Sequence, residues 1–262
     1  MNSTMIDGLR MAYQIDGPDN APTLVLIHCL GANIRMWDPQ IDALCPHLRV
    51  VRYDIRGHGN SEASKPPLTI ERLGRDLLAL MDHLQIARAH VCGLSLGGLI
   101  AQYFVIHHPE RVERAVFANT AARLGTTASW EARIGAIRAG GMASIRDMVI
   151  GRFFSAAFRN RHPDVAKTFG DILQATRADG YIAACTALRD ADLRQSVSSI
   201  HVPTLVIAGG LDEATPQAQS AELAAAIGGS EFVVLQEAAH LSNVEQPDEF
   251  SRHLMKFFGV QP

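Results

Sequence analysis

The chain has 262 residues, 47 % of them apolar and 19 % charged, and a formal net charge of −3. A chain of this size buries roughly three quarters of the surface exposed by its unfolded state, and the composition is globular rather than disordered. The slightly acidic balance, with Lys and Arg scattered, gives no footing for capture of nucleic acid or of an anionic membrane, and no apolar run approaches the ~18 residues needed to span a bilayer.

The first residues, Met1 to Asp7, show no basic stretch followed by an apolar run. No signal peptide is therefore expected, and the expected location is the cytoplasm. Four cysteines (Cys29, Cys45, Cys92 and Cys185) lack metal or redox spacing and read as reduced, mostly buried thiols. Phosphate-loop, dinucleotide-loop and His-Glu-x-x-His patterns are missing, so no cofactor and no metal are expected.

Taken in chain order, short apolar runs alternate with helical ones. The runs at Thr23 to Ile27 and Arg49 to Ile55 predict strands, and Asp54 to Ser61 reads as a tight structural turn in which His58 has no catalytic part. A helix is predicted over Ile70 to Ile86, with Ile70, Leu73, Leu77, Leu80, Met81 and Leu84 on one stripe. Ala89 to Cys92 predicts a strand, Leu96 to His108 a helix stopped by Pro109, and Arg114 to Phe117 another strand. From Leu124 to Leu193 the sequence is helical and rich in Ala and Arg, with no clear strand. Strands resume at Thr204 to Ile207 and Glu231 to Leu235, with helices at Ala218 to Ile227 and Phe250 to Phe258. Runs that are apolar throughout suggest strands buried on both faces, and alternating βα units imply a mostly parallel sheet flanked by helices. The expected organisation is a core of residues 1–123 and 194–262, with residues 124–193 inserted as a helical lid.

Gly93-Leu94-Ser95-Leu96-Gly97 fits the G-x-S-x-G pattern, with an apolar strand leading in and a helix leading out. A sharp turn there would hold Ser95 at positive φ, costing about 1–3 kcal/mol. It would also lift the hydroxyl above the sheet edge beside a helix N-terminus that favours negative charge. Gly93 and Gly97 flank Ser95 because side chains there would collide as strand and helix pass. The competing reading is that Ser95 merely caps a helix.

A serine hydroxyl needs a base to act as a nucleophile. Of the eleven histidines, His240 is the best placed, in the loop after the last strand. His107 and His108 close a helix, His83 lies on a polar helix face, and the remaining histidines lack a distinctive context. An orienting carboxylate is expected beyond the strand Thr204 to Ile207, where Asp212 fits best and its neighbour Glu213 competes. Backbone N–H groups for a developing oxyanion are expected from Leu96, directly after the nucleophile, and from the segment His28-Cys29-Leu30-Gly31, with Leu30 preferred.

These segments, spread over nearly the whole chain outside the expected lid, resemble the α/β-hydrolase superfamily. The order Ser95, Asp212, His240 is that superfamily's order of nucleophile, acid and base. Less generic stretches are similar to 3-oxoadipate enol-lactonases. These are Met36-Trp-Asp-Pro-Gln40, Thr69-Ile-Glu-Arg-Leu-Gly-Arg-Asp76, Ala118-Asn-Thr-Ala-Ala122 followed by Trp130, and Ala239-His-Leu-Ser-Asn-Val-Glu-Gln246. His28-Cys29 departs from the small polar pair often found there in those enzymes; it is closer to the superfamily's His-Gly, with Cys29 replacing the glycine.

The resemblance implies a cofactor-free serine hydrolase. It would open a five-membered enol lactone bearing a carboxymethyl arm, giving 3-oxoadipate, with Ser95, Asp212 and His240 as triad. It suggests Trp130 as a pocket wall, with plain packing as the competing reading. A carboxylate on the substrate implies an arginine facing the pocket, with Arg123, Arg133 and Arg138 as candidates. The expected partner is a small-molecule lactone or ester, and a homo-oligomer stays open. The alternatives are a carboxylesterase or cofactor-free perhydrolase of the same fold and, further off, a small-molecule receptor that keeps a slow triad.

Overall fold

The computed structural model describes residues 1–64 and 67–260. It opens with a hairpin that apolar-run periodicity does not pick out. β1 (Asn2–Ile6) and β2 (Leu9–Asp16) pair antiparallel, with Ile6 opposite Leu9. Asp7 and Gly8 between them have φ of 48° and 75°. Positive φ at both positions suits an Asp-Gly pair, and the mirror-image turn it makes follows the twist of the strands. That dipeptide was the available signal.

Six further strands follow: β3 (Thr23–Ile27), β4 (Arg49–Tyr53), β5 (Ala89–Leu94), β6 (Val112–Ala118), β7 (Thr204–Gly209) and β8 (Glu231–Leu235). All eight form one sheet in the order β1-β2-β4-β3-β5-β6-β7-β8. Pairing is parallel from β4 to β8 and antiparallel at β1–β2 and β2–β4. The run predicted to reach Ile55 ends at Tyr53, because the Asp54 carboxylate turns to accept the N–H groups of Ile34 (2.9 Å) and Asn60 (2.8 Å). Every residue of β5 and of β7 is buried, whereas β8 at the sheet edge leaves Glu231 and Phe232 exposed.

Helices cover both faces. α1 (Asp38–Leu44) follows β3, and α2 (Ile70–His83) buries Ile70, Leu73, Leu77, Leu80 and Met81 as its spacing predicts. Its start is capped by Thr69, whose side chain accepts the Arg72 N–H. It stops short of Ile86 because Gln85 adopts φ 55°. α3 (Leu96–His107) runs out of β5. Between β6 and β7 the described residues hold five α-helices and no strand: α4 (Thr127–Gly140), α5 (Arg146–Phe153), α6 (Ala156–Arg161), α7 (Pro163–Ala175) and α8 (Ala178–Asp190). α9 (Gln217–Ala226), the short α10 (Ser242–Glu245) and α11 (Pro247–Phe258) complete the chain. α11 starts three residues earlier than predicted because Pro247, having no N–H to satisfy, suits the first turn.

The α4–α8 segment seats on the core through backbone contact. A Cβ on Gly180 of α8 would stand 2.4 Å from the carbonyl oxygen of Gly57, in the loop after β4. No helix among the described residues is long and apolar enough to cross a membrane.

Candidate active site

β5 delivers Ser95 to the carboxyl edge of the sheet. Its backbone sits at φ 59°, ψ −115°, a conformation that costs a non-glycine residue on the order of 1–3 kcal/mol. Surrounding bonds hold it there. The Ser95 N–H donates to Ala118 O (3.0 Å), and Ser95 O accepts the Leu99 N–H (3.0 Å) and the Thr120 hydroxyl (2.9 Å). Gly93 and Gly97 permit the crossing: a Cβ on Gly93 would meet Gly97 O at 2.0 Å, and one on Gly97 would meet Ile27 O at 2.2 Å.

His240 and Asp212 approach from the loops after β8 and β7. Nδ1 of His240 lies 2.8 Å from Oδ2 of Asp212, and both residues are buried. With a carboxylate opposite Nδ1, the ring proton is held on that nitrogen and Nε2 is left as the basic atom. The other carboxylate oxygen of Asp212 accepts the N–H groups of Ala214 (2.8 Å) and Thr215 (2.9 Å). Glu213, the competitor, is exposed.

Two further residues hold this pair, and sequence reasoning did not single them out. Asn119, the first residue past β6, has φ 45° and is fully buried. Its amide nitrogen donates to Asp212 Oδ2 (3.0 Å) and Ala239 O (3.2 Å), while its oxygen accepts the Ser242 hydroxyl (2.5 Å). Glu245 accepts the N–H of Ala239, next to His240, and both the N–H and hydroxyl of Ser155 between α5 and α6. Asn119 carried one available signal, a polar residue ending a run of apolar β-formers. Glu245 carried none, since its tie to Ser155 spans 90 positions of sequence.

The segment after β3 is fixed by His28. Its Nε2 accepts the Ile55 N–H (2.9 Å), so Nδ1 bears the proton and donates to Cys29 O (2.7 Å). Burial lowers its pKa to about 4 and keeps the ring neutral. His58 packs beside it with ring centroids 5.5 Å apart, and burial again lowers the pKa, to about 3. Cys29 is fully buried, and burial pushes its thiol far up, which makes it inert. Among the described residues the N–H groups of Leu30 and Leu96 have no acceptor.

Ser95, His240 and Leu30 line one cavity of about 490 Å³ together with Trp130, Arg133, Phe153 and Tyr181. Among the described residues no hydrogen bond joins Ser95 Oγ to His240, a contact that commonly tightens only when substrate is bound.

The α/β hydrolase fold model matches residues 22–247 of the chain. The chain belongs to the α/β-hydrolase family. It is similar to two 3-oxoadipate enol-lactonases of Acinetobacter baylyi, each 40 % identical over 93 % of this chain and 91 % of the relative. It is also similar to the crystal structure of an enol-lactonase from Burkholderia xenovorans LB400, with a TM-score of 0.97, 44 % identity, and coverage of 98 % of this chain and 100 % of the other. A hydrolase from Pseudomonas aeruginosa PA01 follows at TM-score 0.95 and 41 % identity, with 99 % of each chain covered.

Of the three arginine candidates in this α/β hydrolase, only Arg133 lines the cavity with Ser95. Arg123 pairs with Asp192 at 3.7 Å and borders a different hollow, and Arg138 is exposed on α4. Trp130 of the hydrolase lies in the cavity wall, and its indole N–H is spent on Leu124 O at 2.7 Å. Arg152, not among the candidates, also reaches the rim.

Proposed function

We propose that the protein hydrolyses an enol lactone bearing a carboxylate arm, giving 3-oxoadipate, through an acyl-enzyme on Ser95. The observation that carries this reading is the strained Ser95 elbow opening into the same cavity as the buried His240–Asp212 pair. The similarity to enol-lactonases supports the choice of substrate.

In this mechanism His240 Nε2 takes the Ser95 proton as Oγ attacks the lactone carbonyl, and Asp212 stabilises the resulting imidazolium. The unpaired N–H groups of Leu30 and Leu96 receive the tetrahedral oxyanion, each donor contributing roughly 3–4 kcal/mol. The ring C–O bond then breaks as the His240 imidazolium gives its proton to the leaving enol oxygen, and the enol tautomerises to the ketone, which makes acylation easy and leaves His240 neutral again. Water deprotonated by His240 attacks the Ser95 ester, and the second tetrahedral intermediate collapses to the free acid and Ser95. Residues 124–193 act as the lid over this chemistry, with Trp130 as a pocket wall, and the enzyme works in the cytoplasm.

Steady-state kinetics on the enol lactone and on a panel of p-nitrophenyl esters tests the reading. Turnover of the lactone should exceed that of the esters in kcat/KM, and Ser95→Ala should remove at least about 1000-fold of it. A higher kcat/KM on short esters would instead make the protein a carboxylesterase. Wild-type turnover in Ser95→Ala would end the acyl-enzyme scheme.

A further inference from the structure

We propose that the α7–α8 corner of the inserted segment, through Leu173 and Tyr181, sets the direction of the Leu30 N–H, so that seating of this segment on the core completes the oxyanion site. The inference rests on the proposed function in taking Ser95 as nucleophile and Leu30 as an oxyanion donor, and not on the choice of substrate.

The Leu30 N–H belongs to the same peptide unit as the Cys29 carbonyl. In a planar trans peptide the two point in opposite directions, so whatever holds Cys29 O aims the Leu30 N–H. Cys29 O accepts twice, from His28 Nδ1 at 2.7 Å and from the Ala32 N–H at 3.3 Å. The second bond closes a four-residue turn over Cys29 to Ala32, with Gly31 in its third position at φ 78°. That is a position at which such turns call for positive φ. The Leu30 N–H leaves on the side away from both bonds, and Leu30 lines the cavity with Ser95.

The turn and the His28 ring are both braced from the inserted segment. A Cβ placed on Gly31 would stand 2.6 Å from Leu173 Cδ1 and 2.9 Å from Tyr181 Cε2, and the three atoms nearest to it all belong to these two side chains. Both residues are fully buried. The His28 ring is braced at one remove. His58 packs on it with centroids 5.5 Å apart, and Tyr181 lies against His58 at 6.4 Å. Tyr181 therefore supports the turn directly and the His28 ring through His58. The first turn of α8 can act as a brace because it is itself seated on the core: a Cβ on Gly57 would come within 2.7 Å of Gly180 Cα. Close-packed interiors pass displacement on rather than absorb it. Loosening at Leu173 or Tyr181 therefore lets the turn tilt and swings the Leu30 N–H off the substrate oxygen. Leu173 acts by positioning alone, because it is not among the residues lining the cavity.

The test compares 4-nitrophenyl butyrate with its thiono analogue, in which C=S replaces C=O, in the full-length protein. Sulfur accepts hydrogen bonds weakly, so the ratio of kcat/KM for the oxygen ester to that for the thiono ester reports how well the oxyanion donors are aimed. Folded fraction and contacts to the rest of the substrate cancel in that ratio. Wild type should favour the oxygen ester. Leu173→Ala and Tyr181→Leu should each lower the ratio roughly tenfold or more, through kcat on the oxygen ester, as a small misplacement of a catalytic group does. Leu173→Met, which refills the contact, and Tyr181→Phe, which keeps the ring, should hold the wild-type ratio. Val149→Ala alters the cavity wall on α5, away from the nearest neighbours of Gly31, and should change both esters alike. A wild-type ratio in both Leu173→Ala and Tyr181→Leu overturns the proposal and leaves the Ser95 mechanism in place. An equal fall in Val149→Ala overturns it too, since the loss would then follow from any loosening of the wall. A wild type without preference for oxygen removes Leu30 as a donor and the proposal with it. The expected ratios without turnover of the enol lactone leave the brace standing and remove only the lactone assignment.

Discussion

The amide of Asn119 and the imidazole of His240 share one oxygen of Asp212. Asn119 Nδ2 donates to Oδ2 at 3.0 Å, and His240 Nδ1 lies 2.8 Å from the same atom. Three elements therefore converge on a single carboxylate: the end of β6, the loop after β7 and the loop after β8. Removing the amide leaves the Ser242 hydroxyl and the Ala239 carbonyl short of a buried partner, at a cost of about 1–3 kcal/mol. It also frees Asp212 to rotate. Asn119→Ala and Asn119→Gly should both lower kcat about 10- to 100-fold, the penalty of a small misplacement of catalytic groups. The two should differ in stability. Alanine at φ 45° is strained by about 1 kcal/mol where glycine is not, so Asn119→Gly should unfold at higher urea than Asn119→Ala. Full activity in either variant would reduce Asn119 to a packing role.

The parallel sheet was legible because its strands are buried on both faces and so read as unbroken apolar runs; β3 and β8 fall at their predicted bounds. The antiparallel β1 and β2 were not legible by that signal, because Asn2, Ser3, Met5 and Arg10 face solvent. The elbow was legible because steric need for glycine is written locally in sequence. Asn119 and Glu245 act through partners on distant elements, Asn119 on Asp212 93 positions away and Glu245 on Ser155 90 positions away. Sequence spacing carries no trace of such pairings, and only the folded chain brings them together.

The buried histidines give the protein an acid limit. His28 and His58 are neutral in the folded state because burial lowers their pKa values from 6.5 to about 4 and about 3. In the unfolded chain both protonate near pH 6.5. Between those values the unfolded state binds more protons, so stability rises with pH across the window and is fully present above it. As pH falls below about 6.5 stability is lost, and the loss ends once the folded-state rings titrate. At about 1.4 kcal/mol per pH unit, His28 alone accounts for roughly 3 kcal/mol over the window. Urea unfolding at pH 7, 6, 5 and 4.5 should therefore show a falling free energy. His58→Phe keeps the contacts with His28 and Tyr181 and forgoes only a 3.3 Å contact to Arg56 O, so it should flatten the slope. An equal slope in that variant would assign the acid loss to other groups.

Glu245 ties the α5–α6 turn to the loop that carries the base. Oε1 accepts the N–H groups of Ser155 (2.9 Å) and Ala239 (3.0 Å), and Oε2 accepts the Ser155 hydroxyl (2.7 Å). A second tie runs beside it, from Leu241 N–H to Phe153 O at 2.9 Å, and the Phe153 ring stacks 6.1 Å from His240. Movement of the helical segment at Phe153 to Ser155 is thereby coupled to the position of the base. Glu245→Gln keeps one carbonyl oxygen for the two N–H groups, and its NH₂ can donate to the Ser155 hydroxyl, so it should retain most activity. Glu245→Ala loses all three bonds, each charge-assisted and worth about 1.5–3 kcal/mol when kept from water, less here because Glu245 is only half-buried. Its kcat should drop about tenfold or more as His240 loses its registration. Amide hydrogen exchange should speed up together at 153–155 and 238–241 while β5 and β7 stay protected. Faster exchange at one segment alone would show that the two loops are held independently. Unchanged exchange at both would show that the Leu241–Phe153 bond suffices without the carboxylate.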